Sequence, residues 1–159
     1  MEAIAPALLD GAALDAWRSY LKSHATILRA LDADLIAQHG MTTRDYEVLL
    51  YLSQAPDRKL PMSALAESTM LTRSGITRLV DGLVSAGLIE RVSCRNDARV
   101  SYAQLTEAGY EKLRQAGCTH VASIRAMFLE HYSPEEIEQL ASLLSRLPGG
   151  GGVGACTAE

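Results

Sequence analysis

The chain has 159 residues, of which 48% are hydrophobic and 21% charged, enough apolar material for one compact domain or module with appended helices. No run nears the ~18 apolar residues of a membrane span. No Lys or Arg precedes Arg18 while Glu2, Asp10 and Asp15 do, so no secretory signal is expected. Three well-separated cysteines, Cys94, Cys118 and Cys156, form no C-x-x-C, which excludes a disulfide framework and a thiolate zinc finger and predicts a cytoplasmic protein in a reducing compartment.

The net charge of −4 is unevenly placed. Residues 57–99 carry seven basic and five acidic side chains, a local +2, and the remainder carries −6. Screening confines each patch to about 10 Å at 0.1 M salt, so a local basic surface can meet phosphate on an acidic whole. Most of these basic residues are Arg, whose planar fork suits phosphate and guanine.

In chain order, residues 1–11 show no period and read as an arm. Leu14, Trp17, Leu21, His24, Leu28, Leu31 and Leu35 then recur at alternating spacings of three and four, a narrow seam on one helix ending near Gly40. Such a seam calls for another helix against it. Thr42 and Asp45 read as a capping-box variant opening a second helix, with Tyr46, Leu49, Leu50 and Leu52 apolar and a stop near Ala55-Pro56-Asp57.

A short helix from Ser63 to Ser68 and a brief turn lead to Thr72, which caps a helix reaching about Ala86-Gly87. Ile76, Leu79, Val80 and Leu83 of that helix follow core spacing, while Arg73, Ser74, Thr77 and Arg78 occupy the opposite face beside the small Gly75. Two helices joined by a turn, with Arg near the start of the second, suit entry into a major groove. Extended segments at 88–93 and 100–105 flank the polar Cys94-Arg95-Asn96-Asp97-Ala98-Arg99, giving a basic-tipped hairpin. A helix-turn-helix followed by such a hairpin is a winged helix.

Thr106 caps a long helix, about Glu107 to His131, striped by Tyr110, Leu113, Gly117, Val121, Ile124 and Phe128. Ser133-Pro134-Glu135-Glu136 opens a last helix with Ile137, Leu140, Leu143, Leu144 and Leu147, ended by Pro148 and four glycines. The expected class is mainly α with a small two- or three-stranded β-wing. The expected divisions are 1–40 (arm and first helix), 41–105 (winged helix-turn-helix), 106–147 (terminal helices) and 148–159 (disordered tail).

The order of elements and the motifs Met62-Ser63-Ala64-Leu65-Ala66-Glu67, Ser74-Gly75-Ile76-Thr77-Arg78-Leu79-Val80-Asp81-Gly82-Leu83, Gly87-Leu88-Ile89-Glu90-Arg91 and Asn96-Asp97-Ala98-Arg99 resemble the MarR (multiple antibiotic resistance regulator) family of bacterial transcription factors. A D-x-R wing signature followed by L-T-x-x-G matches Asp97, Arg99, Leu105, Thr106 and Gly109, and the likeness spans roughly residues 14–147. Gly75 and Ala98 depart from the family pattern, standing where larger polar and Arg residues are usual. The resemblance implies a homodimer with intertwined terminal dimerisation helices. It further implies a repressor reading a palindromic operator in double-stranded DNA with two recognition helices ~34–36 Å apart.

On that resemblance Arg73, Ser74, Gly75, Thr77 and Arg78 are candidate groove residues; the same side chains would also make an ordinary solvated face. Ser63 and Thr72 would bring helix-start N–H groups to phosphates, although as plain caps they would look identical. Arg95 and Arg99 would reach the DNA backbone or minor groove, with Asp97 bracing an Arg, since a bare carboxylate is repelled by phosphate. His24 reads as a satisfied core histidine or, with Trp17, Tyr20 and Tyr46, as part of a pocket for a small aromatic or anionic effector, as the family implies.

Two other readings stay open: a redox-sensing regulator using Cys94, flanked by Arg91 and Arg95, and a winged-helix protein–protein module without DNA binding. No enzymatic motif is found: no phosphate loop, G-x-S-x-G or H-E-x-x-H. No cofactor is expected and no metal, because Cys118 and His120 at i and i+2 on a helix point apart.

Overall fold

The computed structural model describes residues 9–93 and 101–149. Helix α1 (Gly11–His39) runs 29 residues, and Gly40 closes it in the left-handed region (φ 63°) with its N–H donating to the Ile36 carbonyl. In α2 (Thr43–Gln54) the capping box is reciprocal: Thr42 Oγ1 accepts the Asp45 N–H and the Asp45 carboxylate accepts the Thr42 N–H. Asp32 Oδ1 accepts the Thr43 N–H at 2.8 Å, fixing α2 to α1.

After a 3-10 turn at Pro56–Arg58 comes β1 (Lys59–Pro61), then α3 (Met62–Ser68) and α4 (Arg73–Ser85). Strands β2 (Ile89–Ser93) and β3 (Ser101–Leu105) complete an antiparallel sheet of order β1-β3-β2, with Lys59 opposite Gln104 and Ile89 opposite Leu105. The wing sheet thus has three strands. Its first is three residues long and is held through β3.

The turn between α3 and α4 passes through Met70, which adopts a positive φ of 53° and is 88% exposed. The buried Thr69 beside it is satisfied locally, its Oγ1 donating to the Leu65 carbonyl at 2.8 Å. Helix α3 starts one residue before the expected Ser63: Pro61 ends β1 with φ −59° and Met62 takes the first helical position, so Ser63 lies within the first turn and caps nothing.

Helix α5 (Glu107–Met127) stops short of the expected His131. At Phe128 the backbone leaves helical geometry (φ −134°, ψ −60°), a 3-10 turn covers Leu129–His131, and the Phe128 ring meets Tyr132 edge-on at 5.8 Å. Ser133 and Glu136 form the second capping box, opening α6 (Pro134–Leu144), which ends before the exposed Leu147.

The core joins the last turns of α1 to everything that follows: Leu35, Leu49, Leu52, Leu65, Ile76, Val80, Leu83, Ile89, Leu105 and Leu113 are buried together. Each such side chain contributes about 1.5–3 kcal/mol through burial. Helix α5 runs back along α1, with Ser123 Oγ donating to Asp34 Oδ2 at 2.5 Å and Thr119 Oγ1 paired with His39 Nε2 at 2.7 Å. Among the described residues no helix is long and apolar enough to cross a membrane, and no group of three or more His, Cys, Asp or Glu is placed to hold a metal.

Gly109 shows why the L-T-x-x-G motif ends in glycine. A Cβ there would lie 2.1 Å from the Leu88 carbonyl oxygen, itself held at 3.1 Å by the Thr106 N–H. Gly109→Ala therefore forces β2 and α5 apart and is expected to cost about 1–3 kcal/mol in urea denaturation. Gly82→Ala, facing open space in α4, is expected to add about 0.5–1 kcal/mol.

His120 of α5 packs its ring on Tyr46 of α2 at 4.5 Å, with its Nδ1 buried and without a hydrogen-bond partner among the described residues. Burial holds its pKa below the ordinary 6.5, and the nearby Glu47 carboxylate opposes that shift only in part. With the folded value below the unfolded one, this stabilisation is complete above pH 6.5 and is lost as pH falls below it. The urea midpoint is expected to drop between pH 7.5 and 5.5, and His120→Gln to reduce that drop.

Candidate nucleic-acid interface

Helix α4 is divided lengthwise. Ile76, Val80 and Leu83 are buried, whereas Arg73, Ser74, Thr77 and Arg78 are exposed. Thr72 Oγ1 accepts the Gly75 N–H at 3.1 Å, and a Cβ on Gly75 would stand 3.2 Å from that oxygen. A small residue at 75 therefore leaves the cap uncrowded. Thr77 Oγ1 donates to the Arg73 carbonyl at 2.8 Å, and Ser74 Oγ lies 3.2 Å from Thr72 Oγ1, so the first turn is held by its own hydroxyls.

Two concavities flank this turn. Thr72, Arg73, Ser74, Thr77, Arg78 and Asp81 line an open one on the outer side. The other, of about 500 Å³, lies between α3, α4 and the sheet and is bordered by Ser63, Arg73, Thr77, Arg91 and Ser101. Arg73 and Thr77 thus border both concavities, Ser63 only the inner one and Thr72, Ser74 and Arg78 only the outer one, while Gly75 is half-buried in the same turn and lines neither. The structure adds Arg91, which sequence reasoning left out of the site although it stands in the first strand of the basic-tipped hairpin. Arg91 Nη2 donates to Asp81 Oδ1 at 2.8 Å, linking β2 to α4. Among the described residues no carboxylate lies within ion-pair distance of Arg73 or Arg78, so both guanidiniums are available to an anion. Arg95, Asp97, Arg99 and Cys94 lie outside the described residues.

The four proposed pocket residues do not form one cluster within the chain. Trp17, Tyr20 and His24 stack in succession along the outer face of α1, with ring centroids 6.1 and 6.0 Å apart. His24 is exposed, not packed in the core as a satisfied histidine would be: among the described residues none buries its face of α1. Tyr46 instead is buried on α2 beneath His120. A cleft of about 380 Å³ opens between α1 and the end of α5, walled by Lys22, Ile27, Phe128, His131 and Tyr132. Sequence periodicity does not reveal it, because it is created by the break at Phe128.

Comparison with known proteins identifies the family. A MarR family model matches residues 39–100. Over 111 residues the chain is 32% identical to the HTH-type transcriptional repressor YetL of Bacillus subtilis (strain 168), a stretch covering 70% of this chain and 66% of that protein. Among solved structures it is similar to AbsC, a MarR family transcriptional regulator from Streptomyces coelicolor, at 33% identity and a TM-score of 0.82, covering 88% of this chain and 94% of AbsC. It is also similar to Sco3205, a MarR family transcriptional regulator from the same organism solved in complex with DNA, at 31% identity and a TM-score of 0.83, covering 90% of this chain and 89% of that one. With the winged helix-turn-helix, the two long flanking helices and these similarities in agreement, the chain belongs to the MarR family of transcriptional regulators.

Proposed function

We propose that the chain is a sequence-specific double-stranded-DNA-binding repressor that acts as a homodimer on a palindromic operator and is released by a small aromatic or anionic effector. The observation that carries the reading is the divided recognition helix α4, whose buried Ile76, Val80 and Leu83 leave Arg73, Ser74, Thr77 and Arg78 facing outward, with no carboxylate partner for either Arg among the described residues. Arg forks onto guanine O6 and N7, while Ser and Thr serve base or phosphate. The DNA complex of the similar Sco3205 supports the same use of this fold.

Dimerisation is supported by what the chain leaves uncovered. Helix α6 has no buried residue, and α1 buries only Leu31 and Leu35. Trp17 at 50%, Leu21 at 45% and Leu143 at 54% exposure form apolar surface that a second copy would remove from water. An effector reading is supported by the Trp17–Tyr20–His24 stack and by the nearby cleft, where Lys22 and aromatic walls suit an aromatic anion. Release requires that the ligand bind the DNA-competent and DNA-incompetent states with different affinity.

Gel shifts on DNA flanking the chain's own gene test this reading. Arg78→Ala is expected to lose about 1–3 kcal/mol of discrimination between that DNA and an unrelated duplex. Arg99→Ala is expected to weaken both complexes and reduce the salt slope by about one. Sedimentation is expected to give twice the chain mass, and phenolic acids to raise the apparent Kd. Unchanged affinity and salt slope in both variants overturns the assignment.

A further inference from the structure

Helices α2 and α5 meet where the long terminal helices join the DNA-binding unit, and their contact is incompletely satisfied. Among the described residues two buried side-chain polar atoms have no hydrogen-bond partner, and both belong to these helices: Thr43 Oγ1 in the first turn of α2 and His120 Nδ1 in α5. The His120 ring rests on the buried Tyr46 at 4.5 Å between centroids. Gly117, one turn earlier on α5, keeps the backbone close to Tyr46, whose hydroxyl lies 3.6 Å from where a Cβ would stand. A neutral imidazole is tolerated in this seat, whereas an imidazolium brings a charge and a buried Nδ1–H that has no acceptor there.

The charged groups around the seat limit what such a charge can reach. On α2, the Glu47 carboxylate acts on His120 and is itself held by Arg44 Nη1 at 2.9 Å; the same nitrogen reaches the Thr69 carbonyl at 3.4 Å, beside the turn that leads into α4. On α1, His39 is paired with Thr119, Asp34 with Ser123, and Asp32 accepts the Thr43 N–H. On α5 itself the residues one turn away, Ala116, Gly117, Ser123 and Ile124, carry no charge. A proton on His120 therefore draws on Glu47, and at the expense of the contact between Arg44 and the turn before α4.

We propose that His120 is a proton-operated latch: neutral, it keeps α5 seated on α2 in the DNA-competent arrangement, and protonated, it draws Glu47 from Arg44, unseats α5 and lowers operator affinity. This rests on the DNA-binding reading above and adds the proton as a second regulator of that surface. Burial favours the neutral ring in the seated state. The seated state therefore binds the proton less well than the unseated one, and acidification through the ordinary histidine range shifts the population away from it.

The test is fluorescence anisotropy at constant ionic strength with a duplex from upstream of the chain's own gene. Between pH 7.5 and 5.5 the wild-type affinity is expected to fall roughly five- to tenfold, against the rise that added positive charge gives to binding of any duplex. His120→Gln and His120→Phe, which do not titrate, are expected to remove most of the fall, and His39→Gln to leave it in place. In the wild type the His120 ring signals, followed by NMR, are expected to titrate at a lower pH with the duplex bound than without it, because linkage is reciprocal. A wild-type affinity that does not fall, a fall equal in both His120 variants, a fall abolished in His39→Gln, or a His120 titration unmoved by the duplex each overturns the latch. So does a fall that tracks loss of the near-ultraviolet circular dichroism signal, which assigns it to unfolding. In all of these the chain still binds the duplex at pH 7.5, whereas a wild-type chain that binds no duplex at that pH removes the DNA reading itself.

Discussion

The burial of Ile76, Val80 and Leu83 beneath α4 is the constraint on which the functional surface depends. These three side chains occupy one stripe of a helix only 13 residues long. Their insertion between α2, α3 and the sheet sets the rotation of α4 about its own axis. Once that rotation is set, the positions of Arg73, Ser74, Thr77 and Arg78 follow from the helical period. Recognition chemistry at the surface is therefore an outcome of aliphatic packing underneath. The exposed Asp81–Arg91 ion pair adds orientation more than stability, since pairs in contact with water contribute little.

The molecule falls into two regimes of packing. Among the described residues the buried core lies between Leu31 and Ala116, whereas the first part of α1 and all of α6 are amphipathic helix with no buried residue. Polar contacts between α1 and α5, such as Asp34 with Ser123 and His39 with Thr119, align the two helices but bury no large apolar face. The exposed leucines of α1 and α6 are understandable as half of an interface, which is how the dimer reading accounts for them.

Much of this architecture was legible in the amino-acid order because its signals are local. Both capping boxes, Thr42 with Asp45 and Ser133 with Glu136, are decided by residues three apart. So are the Thr72 and Thr106 caps and the apolar stripe of α4. What escaped notice depends on distant partners. Lys59–Pro61 is a strand only because β3 pairs with it. The end of α5 at Met127 is invisible to periodicity because Phe128 continues the apolar stripe while its backbone leaves the helix. Tyr46 looked available to join Trp17, Tyr20 and His24, but its spacing could not disclose that His120, 74 residues later, stacks on it. Arg91 read only as part of the extended segment 88–93 and a neighbour of Cys94, and only the fold shows that it lines one groove with Arg73.

The junction at Leu88 has a mechanical consequence. The Thr106 hydroxyl donates to the Gly87 carbonyl and the Thr106 N–H to that of Leu88, while Gly109 rests directly on the latter. The long α5 is thus clamped at its base to the root of the wing. At ~1.5 Å per residue it acts as a lever arm of about 30 Å, so a tilt of roughly 6° at the clamp swings its far tip by about 3 Å. A glycine-tight fulcrum allows little slack, and displacement at either end of the lever is passed to the other instead of being absorbed between them.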